Sequence, residues 1–496
     1  MSETDLTTSA CSTHSTELPK TTHGPCLYYT IQEAARHDSD LINTVVSSGC
    51  GKPVIDTEAT ILPIVAQSPT SDIEKAASIT EPKGPPPGGF DPSQFPDGGP
   101  QAWLCVLGCF CILFCSFGWI NSIGVFQEYY QTHQLRAYSA STVSWISSLE
   151  VFFMFAGGPV IGKLNYGPRR LLLGGTLLHV FGLMMASLAS EYYQFILAQG
   201  ICSPIGASMI FYPAMSTIPT WFFRKRGAAF GIVAAGSSLG GVIFPIMVQR
   251  LIVELELIVA RRRAMRTGAF LILALMVVAI LTVKSQFPPS KKPWSIKDFV
   301  VPLKELTYDL VSLGSFLFFM GIFLPINYII LEAEHYGMDP SLAQYLVPIL
   351  NAASLFGRTI PGFLADKIGR YNMMMIMCFF TSILVLAMWI PSTTNAPIIV
   401  FAALYGFGSG AFVSLTPSLI AQISDVRQIG VRSGTLFAII SIASLVGNPI
   451  GGALLTKWNG EYTGLQVFAG VLTFAGSVVL SLARVRLAGW KVMTKI

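Results

Sequence analysis

Charged residues are scarce in this sequence of 496 residues: Asp, Glu, Lys and Arg together make up 12%, whereas 52% of the residues are hydrophobic. A soluble domain carries about a quarter charged residues, so a water-soluble globule is excluded for most of the chain. A Gly-x4-Gly-Lys-Ser/Thr motif is also absent. The chain therefore has no sequence signature for hydrolysing ATP itself.

Cysteines are few and follow no disulfide pattern. Four of the nine lie within residues 105–115, and neither a nearby histidine nor a second cysteine pair accompanies them. Packing between helices explains such thiols better than a soft-metal site, so we expect neither a metal nor a cofactor. The first 25 residues lack an apolar core behind a basic start, and no cleavable signal peptide is predicted.

Charge is distributed unevenly along the chain. Residues 1–100 have a net charge of −8 and are rich in Ser, Thr and Pro, whereas residues 101–496 have a net charge of +13. Residues 1–100 are predicted to be a disordered, soluble tail, because they cannot bury enough apolar surface to fold. The net positive charge of residues 101–496 indicates loops that face an anionic membrane leaflet, and no nucleic-acid partner is expected.

From residue 102 onward, twelve apolar stretches are long enough to cross a bilayer as helices, since about 20 residues span roughly 30 Å of hydrocarbon. Helices are expected because lipid offers no hydrogen-bond partner to open backbone groups. Ten stretches contain no charged residue, while the second contains Glu150 and the eighth contains Arg358. The stretches are 102–127, 138–162, 171–190, 192–223, 227–249, 267–283, 310–331, 341–365, 371–391, 396–424, 433–456 and 462–483.

A basic connector, residues 284–309, separates the first six predicted helices from the last six. The predicted fold class is an all-α membrane protein with twelve transmembrane helices in two pseudo-symmetric six-helix bundles, residues 101–283 and 310–490. Nineteen Lys and Arg residues fall on the side of the termini and seven on the other side. Because cytoplasmic loops are enriched in these residues, both termini are predicted to be cytoplasmic, with the plasma membrane as the expected location.

The two halves of the sequence resemble each other. A Gly-Ala pair followed by a proline occurs in residues 206–213 and, with the same spacing, in residues 410–417. Residues 167–169 after the second predicted helix match residues 369–370 after the eighth. Two related six-helix halves are typical of transporters that rock around a site near the middle of the membrane.

Residues 362–370 read Gly-Phe-Leu-Ala-Asp-Lys-Ile-Gly-Arg at the end of the eighth predicted helix. The glycines permit close helix packing, Asp366 is able to accept hydrogen bonds from a helix N-terminus, and Arg370 is able to pair across the gap between the halves. We interpret Asp366, Arg370 and the matching Arg169 as gating residues. The alternative is a tight turn with charges that set the topology.

This motif resembles the inter-helix signature of the major facilitator superfamily, and the resemblance covers residues 97–490. Within the superfamily, the fungal members of the monocarboxylate-transporter branch look most similar. Residues 97–103 resemble the signature of that branch before helix 1, residues 221–226 resemble its entry to helix 5, and residues 351–362 resemble its helix 8. The resemblance implies alternating access and proton-coupled transport of small organic anions.

Arg358 stands alone in its apolar stretch, and a buried guanidinium in a membrane needs a partner. Its planar fork suits a carboxylate, and the resemblance implies that it binds substrate; the alternative is structural pairing with Glu150 or with backbone carbonyls. Asn121, Asn351 and Ser354 are the other substrate-binding candidates. The resemblance places a lysine of animal members at Asn121 and an acid at Ser354, so a substrate that is uncharged or larger than lactate is a second expectation.

Glu150 is the only acid that the sequence places well inside a predicted helix. Burial disfavours its charged form, so we interpret it as the proton-coupling residue, with a hydrogen-bonded packing residue as the alternative. His179 is interpreted as a hydrogen-bonded core residue. Two segments depart from the resemblance: 162–167 is short and lacks an Asp, and 253–266 replaces a short outer hairpin with a loop that contains three consecutive arginines. We place no site in either segment.

We therefore expect a secondary transporter that moves a small organic anion or a related metabolite, coupled to protons, by alternating access. Its partners would be that substrate, protons and the lipid bilayer, and the sequence leaves the oligomeric state open. There are two alternatives: export of a fungal secondary metabolite, and a non-transporting membrane sensor of the same fold that signals through its tail. No constellation of catalytic side chains supports an enzyme.

Overall fold

The computed structural model describes residues 95–122, 126, 129–130, 134–161, 167–253, 257–286, 295–426, 428–490 and 494. All of them belong to one compact unit, Lys83–Ile496. Nearly all of the predicted disordered tail, residues 1–100, lies outside the described residues. So do most of segment 162–167 and part of the connector 284–309.

The described residues form long helices and contain no strand. Eleven helices among them are long and apolar enough to cross a membrane, and a twelfth, which carries Arg358, is 23 residues long. This confirms the predicted all-α membrane fold. The helices are α1 (Pro100–Ile120), α2 (Thr142–Ile161), α3 (Pro168–Leu188), α4 (Tyr192–Trp221), α5 (Arg226–Val253), α6 (Leu257–Thr282), α7 (Leu306–His335), α8 (Leu346–Ile368), α9 (Arg370–Trp389), α10 (Asn395–Gln422), α11 (Ile429–Lys457) and α12 (Thr463–Ala488). We call α1–α6 the N-half and α7–α12 the C-half.

Three of these helices begin directly after a glycine with a positive φ angle. Gly99 (φ 89°) precedes α1, Gly167 (φ 77°) precedes α3, and Gly369 (φ 105°) precedes α9. A residue with a Cβ atom is strained at such angles, so glycine permits the sharp turn into each helix. Helices α3 and α9 are the third helices of their halves, and Gly167 and Gly369 therefore occupy equivalent places, in agreement with the sequence repeat.

Helices within each half approach one another closely at glycines. A Cβ atom on Gly118 of α1 would lie 2.8 Å from the Cα atom of Gly240 in α5. In the C-half, a Cβ atom on Gly476 of α12 would lie 2.7 Å from the carbonyl oxygen of Gly314 in α7. Small residues hold helices together in lipid because they let the backbones pack closely.

The two halves meet along two helix pairs, α2 with α11 and α5 with α8, which we call the seam. A Cβ atom on Gly158 of α2 would lie 2.5 Å from the carbonyl oxygen of Gly434 in α11. A Cβ atom on Gly227 of α5 would lie 2.6 Å from the carbonyl oxygen of Gly362 in α8. Both contacts lie at the end of the bundle that holds Asp366, which we call the Asp366 end. The halves are therefore closed against each other at this end.

Segment 253–266 is helical for most of its length, which corrects the expected outer loop. One helix continues to Val253 and the next begins at Leu257. The basic residues of the segment therefore lie in the first turns of α6. There Arg266 donates a hydrogen bond to the hydroxyl of Ser187 in α3 at 3.3 Å.

Helix α7 ends at His335, beyond the predicted apolar stretch 310–331. Glu332 lies in the last turn of this helix and is fully buried, with 0% of its surface exposed. Glu150 is therefore not the only acid inside a helix, and that prediction was wrong. The sequence argument missed Glu332 because the acidic residues that follow Leu331 end the apolar stretch.

Candidate substrate site and gate

Arg358 projects from α8 across the seam towards α5. Its Nη1 donates hydrogen bonds to the carbonyl oxygen of Ala234, at 2.8 Å, and to the hydroxyl of Ser237. Its Nε donates to the hydroxyl of Ser354, one turn earlier in α8, at 3.2 Å. The ring of Phe117 in α1 lies 5.7 Å from the guanidinium carbon. Only 4% of Arg358 is exposed, so both halves enclose this cation.

The charge of Arg358 is not compensated within the part of the chain that the structure describes. There, no acidic side chain forms an ion pair with it, and its Nη2 atom makes no hydrogen bond. The structural pairing with Glu150 is therefore not observed, whereas the pairing with a backbone carbonyl is. A buried cation with neutral partners is unfavourable in a membrane, and its free N–H groups are able to bind an anion.

The structure places three of the four predicted substrate-binding residues against α5, namely Asn121, Asn351 and Arg358, and places the fourth, Ser354, against Arg358. Asn121 at the end of α1 and Asn351 of α8 both lie against Gly241, where a Cβ atom would be 2.6 Å from the Asn121 Nδ2 and the Asn351 Oδ1. Further along α8 towards the Asp366 end, Ser354 contacts Arg358. These side chains form a polar strip beside the seam, and their substrate-binding role stays a prediction.

An apolar chamber lies between the halves, next to Arg358. Three contacts of Arg358, namely Phe117, Ala234 and Ser237, belong to the lining of this chamber. Apart from three hydroxyl groups, the lining consists of apolar side chains from both halves. Phenylalanines dominate it: Phe117, Phe155, Phe211, Phe230, Phe319, Phe412 and Phe437.

The phenylalanine rings meet across the seam and nearly fill the chamber. Phe155 of α2 stacks on Phe437 of α11, with ring centroids 5.4 Å apart and ring planes 9° apart. Phe155 also lies 5.7 Å from Phe319 of α7. The free cavity amounts to about 20 Å³, which is room for roughly one water molecule. A larger molecule enters only if the halves separate or the rings rotate.

Glu150 belongs to a different group of residues, inside the N-half. It is 1% exposed and accepts a hydrogen bond from the Nε2 of Gln199 in α4 at 3.2 Å. Gln199 in turn accepts one from the hydroxyl of Tyr130 at 2.7 Å. Among the described residues, no hydrogen bond or ion pair joins Glu150 to Arg358. The predicted proton-coupling residue and the predicted substrate anchor are therefore not in direct contact.

His179 is buried in α3 and hydrogen-bonds to Ser203 of α4. Its Nδ1 lies 2.9 Å from the Ser203 hydroxyl and 3.0 Å from the Ser203 carbonyl oxygen. Both partners belong to the N-half. This placement agrees with the expectation of a hydrogen-bonded core residue.

At the Asp366 end, the C-half holds the N-terminus of α5. Asp366 accepts hydrogen bonds from the backbone N–H groups of Gly227, at 2.9 Å, and Ala228, at 2.8 Å. A carboxylate in this place satisfies free N–H groups of the helix and complements its dipole. Arg370 pairs with Asp366 at 3.2 Å and donates a hydrogen bond to the carbonyl oxygen of Phe223 at 2.8 Å. Both residues therefore join the two halves directly.

Arg169, the third predicted gating residue, lies at the start of α3 and is exposed. Its Nη2 donates a hydrogen bond to the carbonyl oxygen of Leu281 in α6 at 3.4 Å. That bond lies within the N-half, unlike the bonds of Arg370. A gating role for Arg169 stays a prediction.

Arg226 is a seam residue that the sequence argument missed. It is 2% exposed, and its Nη1 donates a hydrogen bond across the seam to the carbonyl oxygen of Ala421 in α10 at 2.9 Å. Its guanidinium also lies 5.2 Å from the centre of the Phe223 ring. In the sequence, Arg226 was counted among the basic residues that set membrane topology and ended the segment 221–226 that carries the family resemblance, but it was given no role at the seam. Its place directly before an apolar stretch was the available signal.

Glu332 was missed as well, and it connects three helices of the C-half. Trp389 of α9 donates a hydrogen bond from its indole N–H to one carboxylate oxygen. Gln466 of α12 donates to the other oxygen at 2.6 Å. This arrangement holds the ends of α7, α9 and α12 together, away from the Asp366 end.

Long apolar helices in two halves, a glycine-rich seam and a collapsed chamber between the halves define a membrane transport protein. The sequence profile described as Major Facilitator Superfamily matches residues 108–324 and 311–491. The chain belongs to this superfamily. It is a multi-pass membrane protein of a family and fold that in general are transporters of small molecules and not enzymes.

Two fungal relatives cover most of the chain. "MFS-type transporter 1" of Ophiocordyceps sp. (strain BCC 1869) is 59% identical over 414 residues, which are 83% of this chain and 91% of that protein. "Fujikurins efflux protein" of Gibberella fujikuroi (strain CBS 195.34 / IMI 58289 / NRRL A-6831) is 49% identical over 388 residues, which are 78% of this chain and 83% of that protein. The relatives thus include a protein named for efflux.

A solved structure with a similar fold is that of the human organic anion transporter MFSD10 (TETRAN). It superposes with a TM-score of 0.63 at 13% sequence identity and covers 77% of this chain and 100% of that chain. At this identity the similarity establishes the fold alone.

Proposed function

We propose that the chain exports an apolar, aromatic organic metabolite that carries an anionic group. Two six-helix bundles, residues 101–283 and 310–490, would move around the chamber and expose it to each side of the membrane in turn. Arg358 is the observation that carries this proposal. It is a buried guanidinium at the seam, beside the chamber, and its hydrogen-bond partners among the described residues are all neutral.

The chamber lining favours a substrate larger and less polar than lactate. Burial of apolar surface contributes about 25 cal/mol per Å², and aromatic rings gain further from offset or edge-to-face contacts with phenylalanine. A small hydrophilic acid would gain little from such walls and would lose its hydration. A metabolite with an aromatic or aliphatic body and one acidic group fits both the rings and Arg358.

The direction of transport is proposed to be outward, and the names of relatives support this choice. One relative is named as an efflux protein of a fungus. Uptake of a small monocarboxylate by proton symport, the first expectation from the resemblance, has less support. The residues Asn121 and Ser354 already depart from the animal monocarboxylate transporters at two positions.

The Asp366 end is proposed to be cytoplasmic, together with both chain termini, and the membrane is proposed to be the plasma membrane. Asp366 closes this end through a bond to α5, and Arg370 closes it through a bond to Phe223 just before α5. Breaking these bonds would open the chamber to the cytoplasm for loading. Arg169 would occupy the equivalent place in the N-half.

Export against a concentration gradient requires an energy source. The proton gradient is proposed to supply it, with Glu150 as the group that binds the proton. A carboxyl group buried in a membrane favours its neutral form, so proton uptake is favourable when water reaches it from the outer side. Its hydrogen bond to Gln199 is available in both protonation states. A separate proton site agrees with the lack of contact between Glu150 and Arg358.

Metabolite profiling tests the proposed function. Cells that carry the gene, cells that lack it and cells with the gene restored are compared by untargeted mass spectrometry of cell extract and medium. We expect an aromatic acid to accumulate several-fold inside the deleted cells and to be depleted outside, with lactate and pyruvate unchanged. A change confined to small hydrophilic acids would instead support the monocarboxylate interpretation, and no change in any metabolite would contradict transport.

A further inference from the structure

The segment 222–228, which joins α4 to α5 and includes the first three residues of α5, is a part of the N-half that the C-half holds at the Asp366 end. We call it the 4–5 turn. The C-half contacts it at Gly227 and Ala228 through Asp366 and at Phe223 through Arg370. These contacts are made to backbone groups, and the side chain of Arg226 adds one hydrogen bond to the carbonyl oxygen of Ala421. The strength of closure therefore depends in part on the direction in which the turn presents its N–H and carbonyl groups.

Asp97, just before α1, holds the same turn from within the N-half. One oxygen of its carboxylate accepts hydrogen bonds from the backbone N–H groups of Phe223 at 2.7 Å, Arg224 at 2.9 Å and Lys225 at 3.3 Å. Its own N–H donates to the carbonyl oxygen of Trp221 at 3.1 Å. Three N–H groups that converge on one carboxylate oxygen fix the path of a turn, because bonds to an ionised acceptor are about twice as strong as neutral ones.

Asp97 itself has φ 48°, an angle that Asp and Asn tolerate better than other residues with a side chain. Its neighbour Phe95 packs on Phe223 with ring centroids 5.5 Å apart. The guanidinium of Arg226 lies 5.8 Å from the Phe95 ring. The segment before α1 therefore contacts the turn through both polar and apolar groups.

Phe223 links the two sets of contacts. Its N–H donates to Asp97 of the N-half, while its carbonyl oxygen accepts from Arg370 of the C-half. A tilt of this residue that breaks the first bond also moves the acceptor of the second. Asp97 makes no hydrogen bond to the C-half within the described residues, so its hydrogen bonds influence the seam only through the turn.

We propose that Asp97 is a positioning residue for closure of the Asp366 end: it shapes the 4–5 turn so that the turn fits Asp366 and Arg370. This proposal rests on the proposed alternating access but does not depend on the identity of the substrate. Loss of the Asp97 carboxylate would leave the two halves folded and would shift the resting state towards opening at the Asp366 end.

The test measures access to the chamber from the Asp366 end. Ser414, a buried residue of the chamber lining, is replaced by cysteine, and the chain without this replacement gives the background. Sealed vesicles with an accessible C-terminal tag expose the Asp366 end, because α12 ends there. A membrane-impermeant maleimide is added, and the labelling rate is measured. We expect slow labelling in the parent and about fivefold faster labelling with Asp97→Gly.

Glycine is chosen because it removes the acceptor without straining the backbone at a positive φ angle. Asp97→Asn keeps an acceptor oxygen but loses the charge, so its labelling rate should lie between those of the parent and Asp97→Gly. Glu305→Ala is the matched control, because Glu305 pairs with Arg432 inside the C-half at the same end of the bundle. It should leave the labelling rate unchanged.

A double variant separates positioning from general loosening. Asp366→Asn alone should speed labelling, and Asp97→Gly should then add less than about twofold, since both act on one contact. A double variant whose increase in labelling rate equals the product of the increases in the two single variants would overturn the proposal. So would an unchanged labelling rate in every Asp97 variant that folds, as judged by its melting temperature. If instead the parent transports nothing, the proposed function fails, while this labelling result still decides the role of Asp97.

Discussion

The guanidinium of Arg358 in α8 donates a hydrogen bond of 2.8 Å to the backbone carbonyl of Ala234 in α5. This bond crosses the seam beside the chamber, so the cation that is proposed to hold the substrate also links the two halves. An anion that competes for the guanidinium would weaken this link. Binding and movement of the halves would then be coupled through a single side chain.

Truncation of a chamber ring should weaken substrate binding. Phe155→Ala removes the ring that stacks on Phe437 across the seam. Loss of one ring contact with an aromatic substrate should raise KM by roughly 3- to 10-fold. Export kinetics of the metabolite found by profiling measure this. Phe474→Ala is the control, because Phe474 is 42% exposed on α12, outside the chamber. Equal KM values for both variants would contradict a substrate site among these rings.

A side chain at Gly227 should prevent closure at the Asp366 end. Its Cβ atom would lie 2.6 Å from the Gly362 carbonyl oxygen and 2.9 Å from an Asp366 oxygen. Since backbone atoms of a packed helix cannot yield, Gly227→Leu should reduce export at least about tenfold, with the protein still present in the membrane. Gly174→Leu is the matched control, because only the flexible end of Met209 lies near that site, at 3.3 Å. Normal export by Gly227→Leu would show that transport does not require the close contact between Gly227 and α8.

Replacement of Glu150 should uncouple substrate transport from the proton gradient. Glu150→Gln keeps a side chain able to bond to Gln199 but cannot take up a proton. We expect export driven by an imposed pH gradient to disappear, while exchange of substrate down its own gradient continues. Flux assays in vesicles with and without the gradient measure both. Glu332→Gln, the same change in the C-half, should keep the response to the gradient. A normal pH response of Glu150→Gln would assign proton coupling to another group.

Glu332 should matter for stability. Glu332→Gln replaces one of the two oxygens that accept from Trp389 and Gln466 with an NH2 group, which cannot accept a hydrogen bond. A buried donor left without its acceptor costs about 1–3 kcal/mol, so the purified variant should melt several degrees lower. Glu334 lies two residues further along α7 and is exposed, so Glu334→Gln should melt like the wild type. Identical melting temperatures for both variants would show that the Glu332 cluster adds nothing to the fold.

Much of the fold could be predicted from the sequence, because an apolar stretch of about 20 residues satisfies its backbone hydrogen bonds in lipid by forming a transmembrane helix. Arg358 was identified for the same reason, since a lone charge in such a stretch stands out. The match between residues 167–169 and 369–370 also anticipated the two equivalent glycine turns before α3 and α9.

The chamber could not be predicted in this way. In a membrane helix both the lipid-facing and the inward-facing residues are apolar, so the sequence does not distinguish Phe155 of the chamber from Phe474 on the surface. Arg226 begins α5 and Asp97 lies just before α1, and their contacts depend on how distant helices pack. Glu332 was hidden because helix α7 is longer than its apolar stretch.

Export by an Arg358→Ala variant tests the central claim most directly. The gene is restored to deleted cells as wild type, as Arg358→Ala or as Arg266→Ala, the last removing an exposed arginine of α6. Membrane abundance is matched, and the aromatic acid inside and outside the cells is quantified. The wild type and Arg266→Ala should clear the acid from the cells, whereas Arg358→Ala should retain it like deleted cells. Export by Arg358→Ala at the wild-type rate would contradict an anionic substrate held by this guanidinium.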